Sequence, residues 1–118
     1  MSRPAASGLD DEDGKLLTLA RGAMARSGGD TGAAVRDADG RTYAAGPVAL
    51  TSLRLSALQV AVAMAVASGA EGFEAAVIAS GADVGDDPGL APLTEVSADA
   101  YALAVDPAGD VRQLAVPA

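Results

Sequence analysis

The sequence predicts an α/β domain: a five-stranded mixed sheet with helices packed on it. Three observations predict it. Segments with apolar residues at helical spacing alternate with short apolar runs bounded by Gly, Pro and Asp. These segments fall in the order α–β–β–α–β–(loop)–β–β, which one sheet with covering helices accommodates. The length, 118 residues, suits a single core and is too short for two.

Each element has its own local reason. Residues 1–10 are expected to be a disordered tail, and 11–118 a single domain. Asp10, Asp11, Glu12 and Asp13 place acidic charge where a helix N-terminus favours it. Leu16, Leu17, Leu19, Ala20, Ala23 and Met24 then form an apolar stripe, predicting a helix from about Asp11 to Arg26 that Gly28 and Gly29 end. Thr31–Arg36 and Arg41–Ala45 flank the turn residues Asp37, Ala38, Asp39 and Gly40, the pattern of a hairpin closed by Gly46-Pro47.

The stretch from about Ser52 to Ser68 is apolar on every face, predicting a helix buried on both sides and stopped at Gly69. Phe73–Ser80 is a near-continuous apolar run, the signature of an interior strand. The acidic loop that follows is rich in Gly and Pro and has room for one helical turn near its end. A second hairpin closes the chain, with strands Ala100–Asp106 and Val111–Val116.

Composition excludes several functions. Hydrophobic residues make up 50% of the chain but aromatics only 3%, so the core is Ala, Val and Leu and buries little area per residue. A net charge of −8 argues against nucleic acid or an anionic membrane as partner, since both require a basic face. Without a signal-like apolar run or a 20-residue span, the expected location is the cytoplasm. There is no histidine and no cysteine. These two side chains supply nearly all zinc ligation, most proton transfer near neutral pH and every thiolate nucleophile. No cofactor and no metal are expected.

The order and the local sequences together resemble the small homo-tetrameric cytidine deaminases. TGAAVRDADGRTY is similar to that family's first hairpin, AVASGAEGFEAAVIAS to the end of its zinc-bearing helix with the next strand, and YALAVDPAGDVRQLAV to its closing strand–turn–strand. The similarity runs from about Leu16 to Val116 and implies a three-layer fold around the five-stranded sheet. It also implies three chemical stations. In the family a C-A-E motif opens the buried helix, a P-C-x-x-C motif opens the next, and an N-x-E motif ahead of them holds the ribose. The zinc they bind generates the hydroxide that attacks C4 of the cytosine, and the Glu moves protons.

Here the resemblance puts Ser56-Ala57-Leu58 on C-A-E, Gly89 and Pro92 on the two thiolates, and Ala45 and Pro47 on the Asn and Glu. Ala57 matches the motif, but Ser56, Leu58, Gly89, Pro92, Ala45 and Pro47 cannot do the corresponding jobs. Leu58 in place of a carboxylate points to a pocket filled with apolar side chain. Ser56 as nucleophile lacks a base, for the only Lys is Lys15 in the first helix; a capping serine is the simpler account. Asp83, Asp86, Asp87 and Glu95 match no calcium-loop spacing and are taken as a solvated acidic loop.

The expectation is therefore a catalytically inactive, zinc-free relative acting as an oligomeric structural or interaction protein. Its expected partners are itself, as a dimer or tetramer through Ala57, Ala61 and Met64 of the apolar helix, and an unidentified second protein. The alternative is a sensor that binds a nucleoside or small metabolite in a remnant pocket, with Arg54 and Ser56 as its ligand-binding residues.

Overall fold

The computed structural model describes residues 8–117, so the expected N-terminal tail lies mostly outside the described residues. The chain runs as helix α1 (Asp11–Ser27), strands β1 (Thr31–Asp37), β2 (Thr42–Ala45), β3 (Val48–Ala49) and β4 (Arg54–Leu55), and helix α2 (Ala57–Ala67). Strand β5 (Phe73–Ser80), helix α3 (Leu90–Val96) and strands β6 (Tyr101–Val105) and β7 (Val111–Gln113) complete it. Five strands form one sheet in the order β2-β1-β5-β6-β7. All pairs are antiparallel except β5 with β6, so the sheet is mixed as expected. The parallel pair is joined through α3, since a parallel connection needs a crossover.

Three layers result. One face of the sheet carries α1, whose Leu16, Leu17 and Ala20 meet Ala34, Ala75, Val77, Ala79 and Val105. The other face carries α2 and α3, whose Leu58, Ala61, Val62, Leu90 and Leu93 meet Ala33, Val35, Ala76, Ile78, Ala102 and Ala104. The alternation along β1, β5 and β6 sends neighbouring side chains to opposite faces. Both faces are covered, which is why Phe73–Ser80 reads as an almost unbroken apolar run.

Small residues let the layers approach closely. Gly32 sits under α1 so tightly that a Cβ there would run into the backbone oxygen of Ala20 and the Cβ of Met24. Asp10 caps α1, accepting a bond from the Asp13 amide at 2.8 Å, and Gly28 ends it in the left-handed conformation at φ 70°.

The second helix differs from the expectation in two ways. It begins at Ala57, not near Ser52, because residues 48–55 form a separate two-stranded hairpin closed by Leu50 N–H to Leu53 O at 2.9 Å. It is also buried on one side only within the chain: Ala57, Leu58, Ala61, Val62 and Ala65 face the sheet, while Met64 and Val66 are 40% and 47% exposed. Ala57 and Ala61 are thus corrected from interface to core residues, each 0% exposed because it projects onto the sheet. The expected helical turn in the acidic loop is a seven-residue helix.

A buried polar cluster, unforeseen from the pattern, pins α1 to the sheet. Arg36 of β1 donates to Asp13 at 3.1 Å and to Glu74 at 2.7 Å, and its Nη2 lies 3.3 Å from Tyr101 Oη. The Tyr101 hydroxyl donates to the Asp13 carboxylate at 2.9 Å. Burial raises the Tyr101 pKa above the ordinary phenol value, and the bond to Asp13 adds to the rise. Burial alone would lower that of Arg36, but its bonds to Glu74, Tyr101 and Asp13 outweigh burial and hold the guanidinium charged.

Candidate functional site

The site that the resemblance marks is the junction where α2 and α3 begin. Ser56 is the N-cap of α2, with extended backbone at ψ 159°. Its Oγ accepts from the Gln59 amide at 3.0 Å, while Gln59 Oε1 accepts from the Ser56 amide at 2.9 Å. This reciprocal box satisfies two of the helix's free donors and fixes its starting residue. Ser56 is thus a cap, as expected. Its hydroxyl proton is used too: Ser56 Oγ donates to Asp87 Oδ1 at 2.7 Å.

The same carboxylate oxygen accepts from the Gly89 amide at 2.7 Å. Gly89 is the N-cap residue of α3, so one oxygen of Asp87 ties the starts of both helices. Asp87 is thus set apart from the solvated acids of its loop: it is half-buried and bonded to Ser56, a partner 31 residues away that no local pattern reports. The local signal for its other bond was Asp87-Pro88-Gly89, an Asx-type turn entering a helix.

Beneath this tie the space is filled. Leu58 is fully buried. A Cβ added at Gly89 would meet Leu58 Cγ at 2.6 Å, Leu58 Cβ at 2.8 Å and the Gln59 amide nitrogen at 2.8 Å. The two positions where the resemblance would put a carboxylate and a thiolate thus pack against each other, with no room for a Cβ at Gly89. Pro92 lies in the first turn of α3, half-buried. Ala45 ends β2 in the core and Pro47 follows it, half-buried.

Zinc does not fit this site. Its residues are a serine, a leucine, a glycine and a proline, and the one carboxylate is committed to two hydrogen bonds. Arg54 stands apart on β4, exposed and paired through its backbone with Ala49. A separate cleft of about 90 Å³ lies on the α1 side, against Arg21, Asp30, Ser80 and Asp106, and shares no lining residue with this junction.

A mixed sheet with one helix on its first face and two on its second, the starts of the pair abutting, defines a cytidine deaminase-like architecture. A family model described as cytidine deaminase-like matches residues 9–109, and the chain belongs to that family. A crystal structure of cytidine deaminase from Burkholderia pseudomallei shares the fold, with a TM-score of 0.73 at 21% identity, covering 86% of this chain and 91% of that one. No curated protein matches the chain.

Proposed function

We propose that this chain is a non-catalytic member of the family, holding no zinc and acting as an oligomeric structural or interaction protein. The observation that supports this is the packing of Gly89 against Leu58, the residues that the resemblance aligns with a metal-binding and a proton-carrying side chain. The absence of any histidine or cysteine from the whole sequence removes every other source of strong zinc donors. Without a metal-activated hydroxide and a proton relay, attack on a pyrimidine ring has neither nucleophile nor acid–base help. A metabolite sensor would need an open polar space at Ser56 and Arg54; instead the serine is spent on Gln59 and Asp87, and the arginine lies on an exposed strand.

Self-association is supported by what α2 leaves uncovered. Met64 and Val66 are exposed on a helix without a charged residue, in a chain whose net charge is −8 elsewhere. An uncharged face is where such a chain can meet a second copy with least repulsion. Among the described residues no helix is long and apolar enough to cross a membrane.

The test is incubation of the purified chain with cytidine and with deoxycytidine, following the absorbance. No change above a buffer blank is expected. A loss of substrate that scales with protein concentration would overturn the proposal.

A further inference from the structure

We propose that Asp87 is a latch that docks α3 onto α2, replacing a metal ion as the tie between the two helix starts; this rests on the zinc-free assignment above. Four observations converge on it. Asp87 Oδ1 receives the Ser56 hydroxyl, 31 residues away in sequence, and the Gly89 amide, both at 2.7 Å, so a single atom bridges the starts of two helices. The Leu90 amide donates to the Asp87 backbone oxygen at 3.1 Å, so the same residue also starts the first turn of α3. The carboxylate sits at the N-terminal ends of both helices, where negative charge is favoured. Finally, Leu90 and Leu93 are the buried residues of α3's seven, and its far end is tied to β5 by the Phe73 amide bonded to Ser97 Oγ at 2.8 Å, so Asp87 is the side-chain tie at its start.

The latch has a consequence for the space below it. Gly89 packs against Leu58 where the Ser56–Asp87 bond crosses from α2 to the start of α3, and the bond from the Gly89 amide to the same oxygen shapes the turn that brings it there. Pro88 sets the backbone angle between the two bonded residues, lowering the entropy lost on closing the turn. Releasing Asp87 therefore frees the 81–89 loop and α3 together, and uncovers Leu58.

A double-mutant cycle isolates the effect. Ser56→Ala removes both the α2 cap and the latch bond, but the cap is lost equally with and without Asp87. The departure from additivity with Asp87→Ala therefore reports the latch. The expected result is that each single variant lowers the melting temperature by roughly 3–8 °C. The double variant should then fall clearly short of the sum. Amide exchange at Gly89 and Leu90 should accelerate at least about tenfold in Asp87→Ala, while β1 and β5 stay protected. If Asp87→Ala does not fold, Asp87→Asn, which keeps one acceptor oxygen, should fold and show an intermediate exchange rate. Strictly additive melting shifts, or unchanged exchange at Gly89, would overturn the latch. Both readouts are taken with and without a chelator. A shift caused by the chelator would instead strike at the zinc-free assignment, so the two failures are distinguishable.

Discussion

Leu58 is the residue on which the chemistry turns. It stands where the resemblance puts the proton carrier, packed without exposure between the sheet and Gly89. A carboxylate cannot be restored there by substitution alone. Leu58→Glu would bury a charge with no partner, costing roughly 3–5 kcal/mol, or force the side chain to stay protonated. The expected outcome is a lower urea midpoint and still no deamination. A Leu58→Glu protein as stable as the parent would show that the space is less filled than the packing implies. Gly89→Cys meets the mirror-image obstacle, since its Cβ would lie inside Leu58 and the Gln59 amide.

At the same scale, Arg36 is the charge most dependent on its neighbours. Asp13→Ala leaves the guanidinium largely buried, with Glu74 and Tyr101 as its remaining side-chain partners, and should cost about 3 kcal/mol. Tyr101 adds a pH dependence. Its pKa is raised above 10 in the folded chain, so its contribution is fully present below about pH 10 and is lost as pH rises through the folded value. Thermal melts should therefore show an alkaline loss of stability above pH 10 that Tyr101→Phe reduces. An identical alkaline profile in Tyr101→Phe would exclude this residue as its source.

Among the elements, α1 and the two hairpins were legible because their signals are local. Acidic residues at the start of α1, glycines at its end and Asp-Gly turns each act within a few residues of the structure they direct. The second helix was harder. A uniformly Ala, Val and Leu stretch carries no helical face, so its start and its buried side could not be read from periodicity. Its start is set by the Ser56–Gln59 box, and its buried side by where β1 and β5 lie. Ala57 and Ala61 were misassigned for that reason. The Arg36 cluster and the Asp87 tie join residues 23 to 88 apart, a separation that no local pattern reports. Gly32, by contrast, is an element-scale constraint with a simple test. Gly32→Ala should push α1 off β1 and destabilise the fold by about 1–3 kcal/mol, whereas Gly14→Ala, with open space at its Cβ, should not. Equal melting temperatures for the two variants would contradict the close packing of α1.

For the molecule as a whole, the fold has the three layers of its family, and in the function proposed above packing and capping residues stand at the chemical stations. Met64 and Val66 are exposed on an uncharged helix face, the surface proposed to meet a second copy. Light scattering at tens of micromolar should therefore give a mass of at least twice the 11.5 kDa of one chain, and Met64→Lys with Val66→Glu should return it to one. A parent protein already monodisperse near 11.5 kDa would remove the structural role proposed for the face.

The central claim is that the site once suited to a metal is closed by Leu58, Gly89 and the Asp87 bonds. Elemental analysis of zinc in the chain, purified without an affinity tag, tests it most directly. Far less than one zinc per chain, unaffected by growth in zinc-supplemented medium, is the result predicted. A stoichiometry near one that survives gel filtration would contradict it.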